Sequence, residues 1–508
     1  MRSVPRSLQR EFKRADVGPL PVARAGPADT YFNPGLPVNS RRKFLIQAPI
    51  GLIGALTACR ADEKAPTTQP TTAGATPGAP PAFNTAPPVG PDVTTATFSE
   101  AEKLAQVKMT DAERQMAASS WRTSMAPLLE RRTGPRRVAL EPTLAPATRW
   151  NPDIGGQPTG PTRDTFVRSR SAAAPLPTND EDIAFAPVTQ LSRWIETRKL
   201  SSQRLTQIYL DRLARFNPKL RCVITLTRDA ALAQAAQADT EIAAGRYRGP
   251  LHGVPYGVKD LLDTAGIPTT YGAEPFRDRV PTADSAVVAR LRAAGGVLVA
   301  KLSMGALALN DIWFGGQTMN PWLLEEGASG SSAGPGAATS AGLVGFSVGS
   351  ETGGSIISPS MRCGITGLRP TYGRVPRTGA MTLCWSLDKL GPMTRSVEDA
   401  ALVLKEISGP DEGDLASMPS HLDYDATASV SGLRVGYFPK WMNEAPATDV
   451  DRAALETVRK VGMKTVEVSI PDWPYGSLQH VLFAEGAAAF EALVLSGEAN
   501  QLRSQVPD

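Results

Sequence analysis

The sequence predicts an α/β protein in which helices cover both faces of a central sheet within one large domain. Apolar residues recur at helical spacing over residues 205–216, and an Ala-rich segment over residues 228–244 predicts a second helix. Short apolar runs at residues 254–258 and 297–300 are typical of buried strands. Because helices and short strands alternate along the chain, a sheet covered by helices is favoured.

Further elements continue this alternation toward the C-terminus. A helix over residues 285–294 precedes the second of these strands, and Ser396 predicts the capped start of a helix over residues 397–407. Residues 432–470 follow a strand–helix–strand pattern, and a last helix is predicted over residues 487–495. The layered architecture is therefore expected to extend over most of the second half of the chain.

The composition argues against several classes of function. The 508 residues carry 54 Lys and Arg against 50 Asp and Glu, without a basic stripe, so we expect no nucleic-acid partner. Three scattered histidines are too few for a metal cluster, and we expect neither a metal nor a cofactor. The four cysteines form no Cys-x-x-Cys pair. Cys363 and Cys384 could form a disulfide or remain buried thiols.

The N-terminal segment resembles an export signal. Residues 1–38 are rich in Pro and Arg and lack apolar periodicity, which predicts a disordered leader. Residues 39–59 contain Ser-Arg-Arg-Lys-Phe-Leu and then a short apolar run, a pattern typical of a twin-arginine signal. The run ends in Leu-Thr-Ala-Cys, which resembles a lipoprotein cleavage site with Cys59 as the lipidated residue. We expect a periplasmic protein or one anchored to the membrane through Cys59; a buried helix in a cytoplasmic protein is the alternative.

Two segments are predicted between this signal and the main domain. Residues 60–98 are rich in Pro, Thr and Ala, which predicts a linker that contributes no apolar surface to a core. Residues 99–180 predict a helical and extended strap, because Ser99 and Thr110 each begin a capping-box pattern. The Pro-rich remainder of this segment is either a strap lying on the main domain or a plain linker. The globular domain is predicted over residues 181–508.

One stretch, residues 327–369, is unusually rich in Gly, Ala and Ser. Small side chains bury little apolar area each, but they let backbone N–H groups and hydroxyls approach a ligand closely. We interpret this ligand as an amide carbonyl. A serine nucleophile needs a base, and a buried lysine can act as one because desolvation keeps its amine neutral. Lys259 follows the predicted strand at residues 254–258 and fits this role; a surface lysine paired with Asp260 is the alternative.

Three blocks resemble the amidase signature family: GVPYGVKD around Lys259, GASGSSAG around Ser331 and GSETGGSI around Ser355. The likeness includes LDRLARFNPKL, CGITGLRPTYGRV and SLDKLGPMTRSVEDAALVL, and it covers roughly residues 185–470. It implies a central mixed β-sheet flanked by helices on both faces. It also implies an amidase, which hydrolyses the C–N bond of a linear amide.

The resemblance assigns roles to three of these side chains. Ser355 matches the nucleophile of the family, and Lys259 matches the base. Ser331 matches the serine that bridges them, and the peptide bond before that serine is cis in the family. For Ser329 and Ser332 we expect structural hydroxyls. The resemblance thus implies a Ser–cis-Ser–Lys triad.

The loop before the nucleophile is expected to hold the oxyanion. The backbone N–H groups of Thr352, Gly353, Gly354 and the nucleophile itself would form this oxyanion hole, and the helix that follows would add positive potential. Three positions depart from the family pattern: Glu351 stands where Asp is usual, Ile357 stands where Arg is common, and Pro335 replaces a small residue in the helix after Ser331. The isoleucine predicts a less polar pocket mouth.

These residues predict an exported amidase that hydrolyses a small-molecule amide through an acyl-enzyme on Ser355. One alternative is the glutamine-hydrolysing component of a glutamyl-tRNA amidotransferase, its A subunit, against which export argues because charged tRNA is cytosolic. The family domain normally continues beyond the GLRVGY unit, so the resemblance implies a domain truncated at its C-terminus, with an incomplete sheet. A truncated, non-catalytic lipoprotein that binds a partner is therefore a third hypothesis.

Overall fold

A computed structural model describes residues 88–138, 160–170, 174–444 and 447–503 of the chain. The predicted leader, the export signal with Cys59 and most of the predicted linker lie outside the described residues. Among the described residues, no helix is both long enough and apolar enough to cross a bilayer.

The helices and strands alternate along the chain, as the sequence predicts. The helices are α1 (Thr95–Ala105), α2 (Asp111–Thr133), α3 (Asp180–Ala184), α4 (Val188–Glu196), α5 (Ser202–Leu220), α6 (Arg228–Ala243), α7 (Ala286–Ala293), α8 (Ala333–Ser340), α9 (Ile357–Cys363), α10 (Val397–Ile407), α11 (Pro439–Asn443), α12 (Asp449–Lys460), α13 (Gln479–Ala489) and α14 (Glu491–Leu495). The strands are β1 (Phe166–Val167), β2 (Val223–Leu226), β3 (Pro255–Lys259), β4 (Val297–Leu302), β5 (Ile312–Trp313), β6 (Gly316–Gln317), β7 (Met319–Asn320), β8 (Leu323–Gly327), β9 (Phe346–Glu351), β10 (Thr366–Gly367), β11 (Lys389–Thr394), β12 (Tyr424–Asp425), β13 (Arg434–Tyr437) and β14 (Lys464–Glu467). Short 3₁₀ turns lie at Glu274–Phe276, Ala306–Ala308, Tyr475–Leu478 and Glu498–Gln501.

The central sheet has six strands in the order β10-β11-β9-β3-β4-β2. Strand β3 pairs in parallel with both β4 and β9. The outer strands β2, β11 and β10 join antiparallel to their neighbours. The predicted mixed sheet is therefore confirmed, and its parallel centre brings the carboxyl ends of β3 and β9 to the same edge.

Both faces of this sheet are covered, which explains why β3, β4 and β9 are buried along their whole length. Successive side chains of a strand point to opposite faces. Accordingly, Leu298 packs into one apolar cluster with Leu191 and Leu402, whereas Val299 packs into a second cluster with Leu213. The prediction of helices on both faces is confirmed.

The first described helix begins earlier than the sequence suggested. Thr94, rather than Ser99, caps α1: its hydroxyl accepts from the Thr97 N–H, and the Thr97 side chain accepts from the Thr94 N–H. A search for Glu or Gln as the reciprocal residue misses this box, because a threonine takes that role. Thr110 and Glu113 form the predicted capping box of α2.

Two C-terminal predictions need correction. The strand–helix–strand unit is present, but β13 and β14 pair only with each other, as a separate parallel pair, and do not extend the central sheet. The helix predicted over residues 487–495 is two helices, α13 and α14, which meet at Phe490. Phe490 is buried in a small cluster with Leu307 and Leu493, so its burial fixes the bend between the helices.

Part of the N-terminal strap lies on the main domain. Strand β1 pairs in parallel with β12, and Phe166 stacks on Tyr424 with ring centroids 4.7 Å apart. Arg168 then donates to Glu196 at 2.9 Å. Residues 166–168 therefore contact the main domain, whereas residues 139–159 lie outside the described residues.

Candidate active site

The predicted base lies at the carboxyl end of β3, inside the protein. Lys259 has no exposed surface, and its Nζ donates to Ser331 Oγ at 2.7 Å and to Ser350 Oγ at 2.8 Å. Burial lowers the pKa of Lys259 to about 7, although the carboxylates of Glu351 and Asp388 act in the opposite direction. A lysine with this pKa is largely neutral in mildly alkaline solution and can then accept a proton.

The alternative of a surface pair between Lys259 and Asp260 is wrong. Asp260 is fully buried and pairs instead with Lys301, whose Nζ lies 3.0 Å from its Oδ1. The Thr270 hydroxyl donates to the second carboxylate oxygen of Asp260 at 2.5 Å. Lys301 on β4 neutralises Asp260, and among the described residues no carboxylate forms an ion pair with Lys259.

The structure brings the two predicted serines to the wall of one cavity of about 280 Å³. Ser331 precedes α8, Ser355 precedes α9, and the Ser332 N–H donates to the Ser355 carbonyl at 3.1 Å. The Gly330–Ser331 peptide bond is cis, as the resemblance implies. No hydrogen bond joins the hydroxyls of Ser331 and Ser355, both of which are described. Catalytic hydrogen bonds commonly tighten only when substrate is bound.

Glu351 organises the loop between β9 and α9. Its carboxylate accepts from the Ile356 N–H at 2.5 Å, from the Ile357 N–H at 3.2 Å and from the Gly354 N–H. The first donors of α9, which we expected to add positive potential at the oxyanion hole, therefore point at this buried carboxylate. Gly354, one of the predicted oxyanion donors, is likewise engaged by Glu351.

The other predicted donors face no such competitor. Among the described residues, no acceptor is bonded to the N–H groups of Gly353 and Ser355. Gly353, Ser355 and Thr352 all line the cavity. The Thr352 hydroxyl donates to Asp388 Oδ1 at 2.5 Å, which anchors the start of this loop to the segment before β11. The loop thus presents backbone donors to the cavity where an oxyanion would form.

Sequence analysis did not identify two residues that contact the candidate site, Ser350 and Asp388. Ser350 is the second acceptor of Lys259, and Asp388 holds Thr352 and the N–H groups of Leu383 and Cys384. Ser350 belongs to the same small-residue run as the other candidate serines, so nothing in the sequence singles it out. Only the parallel pairing of β9 with β3 brings it to Lys259.

Two further expectations concern the cysteines and Ile357. Cys363 and Cys384 are both buried free thiols, so the disulfide alternative is wrong. Ile357 is 43% exposed and is not among the residues that line the cavity. In the part of the chain that the structure describes, no cluster of His, Cys, Asp and Glu is arranged to hold a metal ion.

Fold and site together define a class: an α/β protein with a buried lysine and two serines at the carboxyl edge of a mixed sheet. A model of the Amidase family matches residues 204–505. The chain therefore belongs to the amidase signature family.

Curated relatives include the A subunits of two glutamyl-tRNA(Gln) amidotransferases. The protein from Roseiflexus sp. (strain RS-1) is 40% identical over 304 residues, which cover 57% of this chain and 61% of the relative. The protein from Bdellovibrio bacteriovorus is 36% identical over 317 residues, which cover 61% and 64%. The chain thus spans about three-fifths of the length of these relatives.

Solved structures of similar fold include an amidase and one component of an amidotransferase. Native peptide amidase from Stenotrophomonas maltophilia is 32% identical, with a TM-score of 0.58 over 63% of this chain and 73% of that protein. The A subunit of the glutamyl-tRNA(Gln) amidotransferase from Thermotoga maritima is 28% identical, with a TM-score of 0.52 over 64% and 69%. Both similarities agree with the α/β fold described above.

Proposed function

We propose that this protein hydrolyses the C–N bond of a carboxylic acid amide through an acyl-enzyme on Ser355. The observation that carries the proposal is the hydrogen bond from the fully buried Lys259 to Ser331, 2.7 Å long, beside a cavity that Ser355 also lines. A lysine is rarely buried without a carboxylate partner. Here its neighbours are hydroxyls, which suit proton transfer.

In the proposed reaction, neutral Lys259 accepts the proton of Ser331 while Ser331 accepts the proton of Ser355. The Ser355 oxygen forms a bond to the carbonyl carbon, and the resulting oxyanion accepts from the N–H groups of Gly353 and Ser355. When the tetrahedral intermediate collapses, the C–N bond breaks and the leaving nitrogen takes a proton back through the same hydroxyls. A water molecule then forms a bond to the acyl carbon and gives a proton to Lys259 through Ser331. The bond between the Ser355 oxygen and the acyl carbon breaks, the carboxylic acid leaves, and Ser355 regains its proton from Lys259 through Ser331.

Substitution of the nucleophile and of the base tests this proposal. We expect Ser355→Ala and Lys259→Met each to lower kcat/KM for an amide by more than about 10³-fold, because members of such a unit act together. Release of ammonia or amine by the full chain is the measurement. Ser329→Ala serves as a matched control, since Ser329 lines the same cavity but bonds to Ser358. Full activity in the Ser355 variant would disprove the proposed nucleophile.

A second candidate is glutamine hydrolysis as part of an amidotransferase. The observation in its favour is the 40% identity to the A subunit of a glutamyl-tRNA(Gln) amidotransferase over 304 residues. If this candidate is correct, glutamine is the preferred amide and glutamate and ammonia are its products. A comparison of glutamine with simple amides at equal concentration decides between the two.

We also propose that residues 39–59 direct export and that Cys59 is lipidated. The support is the sequence pattern alone, because this segment lies outside the described residues. A fusion of residues 1–70 to a reporter that is active only after export tests the first part. Recovery of the intact fusion in the cytoplasm would contradict export, and an unchanged membrane fraction after Cys59→Ala would contradict lipidation.

A further inference from the structure

The residues that line the cavity beside Ser355 fall into two chemical groups. One group supplies the hydroxyls and backbone donors of the site, from Ser331 to the loop that ends at Ser355. The other group is hydrocarbon, and its principal members are Leu307, Leu309, Leu383, Leu482, Phe483 and Phe490. A molecule whose amide contacts the polar group therefore has apolar side chains in the same cavity for another part of itself to contact.

None of the described residues that line this cavity is ionisable. A charged group on the substrate would lose water here without gaining an opposite charge, which is unfavourable. The carboxylates of Glu351 and Asp388 are already engaged: Glu351 accepts from loop N–H groups and Asp388 accepts from Thr352. The cavity therefore disfavours substrates that carry an ammonium or carboxylate beside the amide.

The volume of the cavity indicates the size of the apolar group that it can accommodate. It measures about 280 Å³. An engineered apolar cavity of about 150 Å³ in another protein holds one benzene molecule. The remaining volume suffices for a carboxamide and a short connection to a ring.

On the basis of the proposed amidase function, we infer that the substrate is an uncharged amide bearing one apolar group of about the size of a phenyl ring. This group contacts Leu482 and Phe483 of α13 while the carbonyl faces Ser355. Removal of apolar surface from water is favourable, so the ring contributes to kcat/KM. The inference excludes free glutamine as the preferred substrate.

Four amides test the inference with the full-length chain: phenylacetamide, acetamide, glutamine and phenylacetamide with a para carboxylate. We expect kcat/KM for phenylacetamide to exceed that for acetamide by about 10-fold or more, and that for either charged amide by about 100-fold or more. Equal or faster turnover of a charged amide overturns the inference and leaves the proposed hydrolysis intact. If no amide is hydrolysed, the proposed function fails. Calorimetry then measures binding of phenylacetamide and of its para-carboxylate analogue to the Ser355→Ala variant. Tighter binding of phenylacetamide supports the inference, and equal or tighter binding of the charged analogue overturns it.

Variants of α13 locate the apolar group. Leu482→Ala is expected to lower kcat/KM for phenylacetamide by about 10-fold and for acetamide by less than about 3-fold. Leu478→Ala is the matched control, because Leu478 is 61% exposed and lies outside the cavity wall. Phe483→Ala, at the neighbouring lining position, provides a second test if the first variant is unstable. An equal loss for both amides in the α13 variants, or no loss, contradicts the placement.

Discussion

At the scale of single residues, the environment of Lys259 decides what this site can do. Its amine meets two hydroxyls, Ser331 and Ser350, and the adjacent Asp260 is occupied by Lys301. Besides these hydroxyls, the carboxylates of Glu351 and Asp388 favour the ammonium form without direct contact, and burial outweighs them. The neutral form is therefore accessible near neutral pH, as a general base requires.

The activity should follow the protonation of Lys259. Because burial lowers its pKa to about 7, kcat/KM should rise with pH up to about 7 and stay level above it. Below the inflection, the ammonium form has no free electron pair, and the rate should fall about tenfold per pH unit. A pH–rate profile of the full chain with an uncharged amide measures this dependence.

Lys259→Arg is the control for this assignment. An arginine keeps its proton throughout this range, so the variant should remain inactive at every pH. A wild-type profile that is flat from about pH 5 to 9 would mean that Lys259 is not the base whose ionisation controls the rate.

At the scale of elements, the hydrogen bonds of Glu485 form a tether between α13, which supplies apolar side chains to the cavity, and residues 384–386. Glu485 of α13 accepts from the Ser386 N–H at 2.8 Å, from Cys384 Sγ at 3.1 Å and from the Ser386 hydroxyl. Burial opposes ionisation, but these hydrogen bonds hold the pKa of Glu485 below its ordinary value. Asp388 in turn joins the same segment to Thr352. Helix α13 and the loop between β9 and α9 are thus connected through residues 383–388.

Removal of this tether should weaken substrate binding by α13 more than it slows the chemical step. We expect Glu485→Ala to raise KM for a ring-bearing amide by about 10-fold with a smaller change in kcat, because α13 positions the apolar side chains and no reacting atom. Steady-state kinetics give both constants. The exposed Glu491, on the neighbouring helix α14, supplies the matched control Glu491→Ala. A change confined to kcat would contradict a positioning role.

At the scale of the whole molecule, a few long-range polar contacts join segments that are far apart in the chain. The guanidinium of Arg395 donates to the carbonyls of Val344 at 2.8 Å and Ala186 at 3.0 Å. Asp399, on the next helix, accepts from the N–H groups of Val188 and Thr189 at 2.9 Å each. These contacts join the N-terminal helices to the segments that carry β9 and β11.

The Arg395 contacts should contribute measurably to the stability of the fold. Arg395→Met keeps the apolar stem but leaves several carbonyls without a donor, and we expect it to lower the free energy of unfolding by about 2 kcal/mol or more. Chemical denaturation of the full chain measures the change. Arg246→Met, at an exposed position, should change it by less than about 0.5 kcal/mol. Equal stabilities of the two variants would mean that water replaces these contacts without cost.

Local patterns in the sequence were sufficient to predict many of the helices and strands. The α/β class, β3 and β4, and the helices at 228–244 and 397–407 follow from apolar spacing and from caps such as Ser396, which act within a few residues. Less local features were missed. Thr94 uses an uncommon capping partner, and the separation of β13 and β14 from the central sheet depends on pairing that no local pattern encodes.

The chain's own sequence determined the residue types of the candidate site, and the tertiary structure decided their relations. The motifs identify Lys259, Ser331 and Ser355, because each lies in a distinctive run of small residues or at a strand end. Only the pairing of β3 with β9 brings the Ser350 hydroxyl into contact with the Lys259 amine. Only the tertiary position of α13 brings its apolar side chains to the cavity that Ser355 also lines. The physical reason is that burial, pKa and cavity shape depend on atoms distant in sequence, whereas propensity and capping depend on neighbours.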